Sequence, residues 1–218
     1  MFSIFIMILF GEVMYIAISN TPEERICTTY TWIYWDNAFT QEELIDLEKY
    51  CEKEQTQKAT IVGSDDINKT EKTRKSKVKF YGKNEQNAWF FNKVNQISQS
   101  INESYYNYNL NGYSDFQYTE YHGSESGEYD WHMDMLHGEN KFHMTRKLSL
   151  VLCLSDPEKD FVGGEFQINN GNQDEPETIL MKKGRMIFFP SYIIHRVKPV
   201  TKGIRKTIVI WITGPKFV

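Results

Sequence analysis

The sequence predicts a mainly β fold in which a jelly roll is supported by two N-terminal helices. Apolar residues recur at helical spacing in two stretches between residues 40 and 105. From Asp115 onward the pattern changes to short alternating strands, separated by turns rich in Gly, Asn, Asp and Pro. Because the helices come first and the strands follow, we expect a β-sandwich or barrel with helices on one side.

The first predicted helix begins at a capping box, the residues TQEE at positions 40–43, with Phe39 and Leu44 placed as a hydrophobic staple. Leu44, Leu47 and Cys51 then recur at helical spacing. The second helix is predicted to begin near Asn84. Its apolar face consists of Phe90, Val94, Ile97, Ile101 and Tyr105. Both stripes are typical of helices packed on a sheet.

About eight strands are predicted in the second half of the chain. Leucines at positions 148, 150, 152 and 154 alternate with smaller residues, and residues 204–213 alternate with apolar side chains on both faces. The predicted strands cover residues 116–121, 128–134, 146–154, 164–168, 178–181, 185–189, 194–198 and 204–213.

Length and composition predict one globular domain over residues 14–218, with helical support over about 40–105 and the jelly-roll core over about 115–215. Residues 1–13 are interpreted as an over-extended start before Met14, or else a short apolar leader, anchor or first strand. A net charge of −4 argues against a general nucleic-acid-binding surface, although it leaves a local basic patch open. Three distant cysteines favour a reducing compartment, so we expect a cytoplasmic protein, of a microbe or a phage-infected cell.

One strongly polar segment, residues 63–79, contains nine charged side chains. Charge runs of this kind are usually solvated, so a solvated loop is the first interpretation. A mobile lid beside an active site is the alternative.

The tripeptide His132-Met133-Asp134 is the first candidate for chemistry. On a strand, residues two apart point to the same face, so this imidazole and this carboxylate would converge. A third ligand is needed to hold a catalytic metal, and His195 is the best candidate because it opens a strand late in the β region. Two histidines and one carboxylate form the facial triad of non-haem Fe(II) oxygenases. A satisfied His–Asp hydrogen bond is the alternative.

Arg205 lies ten residues after His195 in a strongly apolar strand. An arginine that faces inward there needs an anionic partner, because an unpaired buried charge costs several kcal/mol. A dicarboxylate co-substrate would provide one, since guanidinium binds carboxylate in a bidentate fork. An outward, solvated Arg205 is the alternative.

Five motifs occur in the order seen in prolyl-4-hydroxylase-like 2-oxoglutarate/Fe(II) dioxygenases, and the chain most resembles their microbial and phage branch. They are YDWHMD (129–134), RKLSLVLCLS (146–155), GGEF (163–166), FFPSYIIHRV (188–197) and PVTKGIR (199–205), followed by Trp211. The resemblance covers about residues 115–215 well and the N-terminal helices loosely. It implies a double-stranded β-helix (jelly roll, cupin-like) flanked by the N-terminal α-helices.

The resemblance also implies residue roles. His132, Asp134 and His195 would bind Fe(II), and Arg205 would bind the distal carboxylate of 2-oxoglutarate. Tyr121, with Tyr118 as the fallback, and Ser149 would contact the co-substrate. Trp211 would face the same cavity or simply pack in the core. Tyr129 and Trp131 would line the mouth of the site or pack, and His137 and His143 would belong to the surface or to a substrate loop. Arg146 would meet an acid or a substrate.

The implied activity is hydroxylation of a C–H bond with Fe(II), 2-oxoglutarate and O2, giving succinate and CO2, with ascorbate as a candidate reductant. The presence of Asp134 favours hydroxylation over halogenation, since halogenating relatives have a small residue there. A prolyl residue in a peptide or protein is the expected substrate; a free amino acid or another small molecule is the alternative. A non-catalytic jelly-roll binding module and a nucleic-acid demethylase are the rival classes. We expect neither a nucleic-acid nor a membrane partner.

Overall fold

The computed structural model describes residues 12–16, 26–53, 55–59, 73–135, 144–157, 159–171 and 174–216. Two α-helices lie in these ranges, α1 (Gln41–Glu52) and α2 (Ala88–Ile101), and α2 continues into a π-helical turn, Asn102–Tyr106. The strands are β1 (Glu12–Ile16), β2 (Ile26–Tyr30), β3 (Ile33–Trp35), β4 (Gln57–Lys58), β5 (Arg74–Lys75), β6 (Lys77–Gly82), β7 (Asp115–His122), β8 (Glu128–His132), β9 (Met144–Cys153), β10 (Phe161–Gly163), β11 (Phe166–Ile168), β12 (Glu177–Ile179), β13 (Met186–Pro190), β14 (His195–Val197) and β15 (Val200–Pro215).

Two antiparallel sheets form the jelly roll. The larger sheet has the order β3-β13-β9-β15-β7-β6-β4, with β10 also paired to β15. The smaller sheet has the order β12-β11-β14-β8-β5, and β1 pairs with β2 separately. The predicted fold class, a jelly roll with N-terminal helices, is confirmed. Each of the eight predicted strands overlaps a strand of the structure, with ends shifted by a few residues.

Helix α1 follows the sequence prediction closely. The Glu43 amide donates to Thr40 Oγ1 over 3.2 Å, and the Thr40 amide donates to Glu43 Oε2 over 2.8 Å, so both halves of the capping box are formed. Phe39 and Leu44, the predicted staple, are both buried, as are Leu47 and Cys51. This face packs on the outer side of the larger sheet, in one core with Leu150 and other β9 leucines.

Helix α2 departs from the prediction at both ends. It begins at Ala88, because Asn84 uses its side-chain oxygen to accept from the backbone amides of Gln86 and Asn87 in a turn. At the other end the backbone changes to π-helical spacing, in which the Asn107 amide donates to the Asn102 carbonyl. The residue one turn after Ile101 is therefore Tyr106, which is buried, whereas the predicted Tyr105 is 39% exposed.

The polar segment is only partly a loop. Arg74 and Lys75 form β5 in the smaller sheet, and Lys77–Gly82 forms β6 in the larger one, so the chain changes sheets at Ser76. Over residues 74–79 the predicted solvated loop is therefore wrong, because strand pairing satisfies the backbone there. Residues 60–72 lie outside the described residues.

A second core fills the space between the two sheets, with Phe166, Ile168 and Phe189 at its centre. Several residues of this core also line a cavity between the two sheets. Residues 1–11 lie outside the described residues, and the predicted boundary between residues 13 and 14 falls within β1. In the described part of the chain, no helix is long and apolar enough to cross a bilayer.

Candidate functional site

A cavity of about 460 Å³ lies between the two sheets. Residues of both sheets line it, including all three predicted metal ligands, Arg205 and Tyr121. Alternation along β15 explains one wall, because Arg205, Thr207, Val209 and Trp211 are two residues apart and all face the cavity.

His132, Asp134 and His195 meet at this cavity. Each offers one ligand atom, and these atoms lie within 4.8 Å of one another. His132 Nε2 is 3.9 Å from Asp134 Oδ1, and His195 Nε2 is 3.6 Å from Asp134 Oδ2. Strand pairing causes this convergence, since His195 at the start of β14 lies opposite His132 at the end of β8. The predicted convergence of the three side chains is thus observed.

Backbone carbonyls orient both imidazoles. His132 Nδ1 is 2.7 Å from the Asp130 carbonyl oxygen, and His195 Nδ1 is 2.9 Å from that of Ile193. A carbonyl can only accept, so each Nδ1 carries the proton and each Nε2 keeps its lone pair for a metal. Burial lowers the pKa of His132 to about 3, which keeps this imidazole neutral, as a metal ligand must be.

Two serines hold Asp134. Ser149 Oγ donates to Asp134 Oδ2 over 2.7 Å, and Ser191 Oγ is 2.9 Å from Ser149 Oγ. The backbone amide of Asp134 also donates to the Ser191 carbonyl. Burial alone would raise the pKa of Asp134, but His195, His132 and Ser149 outweigh it, so the pKa is lowered and the carboxylate stays ionised.

Arg205 faces inward and is 1% exposed. Its Nε and Nη2 atoms have no hydrogen-bond partner within the described residues. Tyr121 lies opposite it on β7, with the guanidinium carbon 5.3 Å from the ring centre. A buried guanidinium with unused donors costs several kcal/mol unless an anion pairs with it, so an anionic group such as a carboxylate would offset that cost here.

The structure separates the two tyrosine candidates. Tyr121 lines the cavity, whereas Tyr118 lies in the core between the larger sheet and the helices. The Tyr118 hydroxyl donates to Glu120 Oε1 over 3.1 Å. The two residues are three apart on one strand and therefore point to opposite faces, which leaves Tyr121 as the candidate on the cavity side.

Aromatic and cationic side chains stack around the triad. The Tyr129 ring lies parallel to the His132 ring, with centres 3.4 Å apart, and Trp211 lines the cavity beneath the guanidinium of Arg146 at 3.8 Å. Trp131 instead packs under Arg196. His137 and His143 lie outside the described residues.

The sequence analysis does not predict two residues that shape the cavity, Arg74 and Gly164. Arg74 was assigned to a solvated segment, yet it is buried and lines the cavity with its guanidinium 4.6 Å above the Tyr129 ring. Gly164 has a φ of +66°, and an added Cβ would lie 3.0 Å from Arg205 Cδ. The GGEF motif signalled Gly164, but no local pattern signalled Arg74, since its burial comes from pairing with β8.

The residues present fit an iron ion and 2-oxoglutarate. Two neutral imidazole nitrogens and one carboxylate oxygen make a donor set suited to Fe(II), with positions left open for other ligands. The unused donors of Arg205 in the same cavity fit the free carboxylate of a keto diacid.

Comparison with known proteins agrees with this geometry. The model of the 2OG-Fe(II) oxygenase superfamily matches residues 116–213, a stretch that contains the triad and Arg205. Over this stretch the chain is similar to proteins of this superfamily. Among curated proteins, the chain is 39% identical over 94 residues to a PKHD-type hydroxylase of Synechococcus sp. (strain CC9902). It is 34% identical over 92 residues to a PKHD-type hydroxylase of Cupriavidus metallidurans.

These alignments cover 41% of this chain and 38% and 39% of the two relatives, so less than half of either relative is spanned. Solved structures with this fold align with a larger share of the chain than the curated relatives do. A Pseudomonas putida prolyl-4-hydroxylase is 17% identical with a TM-score of 0.67, over 85% of this chain and 94% of that one. A Trichoplax adhaerens prolyl hydroxylase, solved with a hypoxia-inducible-factor peptide, is 19% identical with a TM-score of 0.65, over 84% and 83%.

Proposed function

We propose that this protein is an Fe(II)- and 2-oxoglutarate-dependent dioxygenase that hydroxylates a C–H bond. One observation carries the proposal: a His-Asp-His triad and a buried guanidinium with unused donors share one cavity. The alternative of a non-catalytic jelly-roll module leaves both features without a purpose.

His132, Asp134 and His195 would hold the iron, and Arg205 with Tyr121 would hold the distal carboxylate of 2-oxoglutarate. When bound, iron and 2-oxoglutarate would supply the oxidising chemistry: one atom of O2 would enter succinate with release of CO2, and the other would enter the substrate C–H bond as hydroxyl. Two-electron oxidation of the C–H bond and oxidative decarboxylation of the keto acid balance the four electrons that O2 accepts.

The chain's own residues supply position and electrostatics. The Ser149 hydroxyl and the two backbone carbonyls fix the ligand atoms before any ion binds, which lowers the reorganisation cost of binding. Val151, Phe166 and Val197 form apolar walls that limit the access of water. Exclusion of water strengthens the attraction between Arg205 and a carboxylate.

A prolyl residue in a peptide or protein is our first proposal for the substrate. The solved relatives support it, since they are prolyl hydroxylases and one was solved with a peptide. The second candidate is a free amino acid or another small molecule. Arg74 and Arg146 favour it, because two guanidinium groups on the cavity wall suit a small anionic substrate. We further propose a cytoplasmic location and ascorbate as the reductant.

Succinate release tests the activity. The purified chain would be loaded with Fe(II) and 2-oxoglutarate without oxygen, exposed to air, and assayed alone and with proline-containing peptides or free amino acids. We expect 2-oxoglutarate-dependent succinate formation that one substrate class stimulates. Succinate no higher than that of an Asp134→Ala variant under every condition would refute the oxygenase assignment.

A further inference from the structure

The strand that carries His132 contains a β-bulge. His132 and Tyr129 of β8 pair with His195 and Val197 of β14, so β8 has two residues between the pairs where β14 has one. On a regular strand, Tyr129 and His132 would point to opposite faces, because they are three residues apart. Both nevertheless line the cavity, and their rings stack with centres 3.4 Å apart. The bulge therefore turns His132 toward the other metal ligands.

The same bulge supplies the group that orients His132. Asp130 is the first of its two residues, and the Asp130 carbonyl oxygen is 2.7 Å from His132 Nδ1. The imidazole of His195 has a separate partner, the carbonyl of Ile193, which lies in the turn before β14. A change in the shape of the bulge should therefore disturb His132 and leave the partner of His195 in place.

The second residue of the bulge, Trp131, is contacted from the outer face of the smaller sheet. Arg196 lies between His195 and Val197, which line the cavity, so the Arg196 side chain points away from the cavity. Its guanidinium lies over the Trp131 ring, with Cζ 4.3 Å from the ring centre. A planar guanidinium stacks favourably on an aromatic face. This contact joins the residue after His195 to the residue before His132.

The next strands of the smaller sheet fix Arg196 in this position. Arg196 Nε donates to Gln167 Oε1 on β11 over 2.8 Å, and Gln167 Nε2 donates to Thr178 Oγ1 on β12 over 2.8 Å. The Gln167 side chain is itself buried. A guanidinium that is stacked on one side and hydrogen-bonded at Nε has little rotamer freedom left, so it can hold the bulge in one geometry.

We propose that Trp131, Arg196 and Gln167, together called the outer clamp, position His132 for metal binding. These residues face away from the cavity and act through the bulge, whose carbonyl orients the imidazole. The inference rests on the proposed function and adds three positioning residues to its metal site. Groups that orient a metal ligand typically change metal affinity by about tenfold to 100-fold, so the effect of the outer clamp should be measurable.

Calorimetric titration with Mn(II) tests the outer clamp without turnover. Trp131→Leu and Arg196→Gln should each weaken Mn(II) binding by about tenfold, the lower end of the range for orienting groups. Trp131→Phe keeps a ring under the guanidinium, so its affinity should stay within about threefold of the original. Arg196→Lys keeps the charge but loses the planar stack, and a loss of about fivefold is expected. This variant decides the test if the first two do not fold.

Lys198→Gln is the matched control. Lys198 lies two residues after Arg196, on the same face, and its Nζ atom is 3.6 Å from Glu165 Oε2. Its removal deletes a cation from the same part of the sheet without touching the bulge. Because exposed ion pairs of this kind contribute little, Mn(II) affinity should stay within about twofold.

Proton exchange at the two histidines separates positioning from plain stability. With isotope-labelled histidine and saturating Zn(II), NMR would follow how fast each Nδ1 proton exchanges with water. In Trp131→Leu and Arg196→Gln, the His132 proton should exchange about tenfold faster, because its carbonyl partner lies in the loosened bulge. The His195 proton should keep its original rate.

The inference is overturned if the outer-clamp variants bind Mn(II) as tightly as the original chain, even where urea unfolds them more easily, since a merely structural contact gives that result. It is equally overturned if the two imidazole protons change alike. In either case succinate formation by the original chain would still support the proposed function. An original chain that binds no Mn(II) would overturn both the outer clamp and the function.

Discussion

The hydroxyl of Ser149 donates its single proton to Asp134 Oδ2, so the adjacent Ser191 hydroxyl must donate to Ser149. These two linked hydroxyls hold the carboxylate of Asp134, a candidate metal ligand, in place. The family resemblance instead predicts that Ser149 contacts 2-oxoglutarate, and the two roles have different consequences when the hydroxyl is removed.

Replacing Ser149 by Ala should weaken metal binding by about tenfold to 100-fold, because groups that orient a metal ligand have effects of that size. Titration with Mn(II) or Fe(II) would measure it, and Ser149→Thr, which keeps the hydroxyl, is the control. A rise in the KM for 2-oxoglutarate with unchanged metal affinity would support the co-substrate contact instead.

Alanine at His132, Asp134 or His195 should lower metal affinity by more than about 100-fold, since loss of a direct ligand exceeds loss of an orienting group. His122→Ala is the matched control, because His122 pairs with Glu120 over 3.0 Å and lies outside the cavity lining. A His132 variant that binds metal and turns over normally would refute the ligand assignment.

Replacing Arg205 by Gln should raise the KM for 2-oxoglutarate by about 10-fold to 150-fold, because charge-assisted hydrogen bonds contribute about 1.5–3 kcal/mol. Metal affinity should stay within about twofold, since Arg205 contacts none of the three ligands. Initial rates of succinate formation and a metal titration would separate the two effects. Equal losses in both would contradict the assignment.

Alanine at Gly164 should disturb Arg205 without touching the triad. The new Cβ would lie 2.8 Å from Val200 Cγ2 and 3.0 Å from Arg205 Cδ, in addition to the strain of a φ of +66°. We expect a loss of about 1–3 kcal/mol in the free energy of unfolding and a higher KM for 2-oxoglutarate. Gly171→Ala is the control, because its φ is +107° but nothing lies within 4 Å; it should destabilise the chain and leave the KM unchanged.

The attachment of α1 to the larger sheet should weaken in acid. Burial favours a higher pKa for Glu48, but Lys206, 2.8 Å away on β15, and Lys183 outweigh it, so the pKa lies below its usual value. A lowered carboxyl pKa contributes stability that is complete above the unfolded-state pKa, near 4.3, and is lost as the pH falls through the folded-state pKa.

Glu48→Gln should therefore lower the free energy of unfolding at pH 6 by at most about 1 kcal/mol. The difference from the original chain should vanish near pH 3. Urea unfolding at several pH values would measure it, with Asp46→Asn, an exposed change on the same helix, as the control. A difference that persists at pH 3 would show that packing, rather than charge, accounts for the effect.

The sequence by itself determined the fold class, the capped start of α1, the strands of the C-terminal half and the shared face of His132 and Asp134. Each follows from local periodicity or from a motif whose residues are close in the chain. It also indicated that Arg205 and Trp211 share a face, because alternation along one strand needs no knowledge of its partners.

Tertiary structure decided the rest of the site. Lys147 is skipped in the pairing of β9 with β15, where Thr213 lies opposite Arg146 and Ile212 opposite Leu148. This bulge turns Arg146 toward the cavity, where regular alternation from Ser149 would have placed Lys147. Arg74 reaches the cavity because the chain changes sheets at Ser76. Bulges and sheet crossings depend on which strands pair, and that long-range choice leaves no periodic signal in the neighbouring residues.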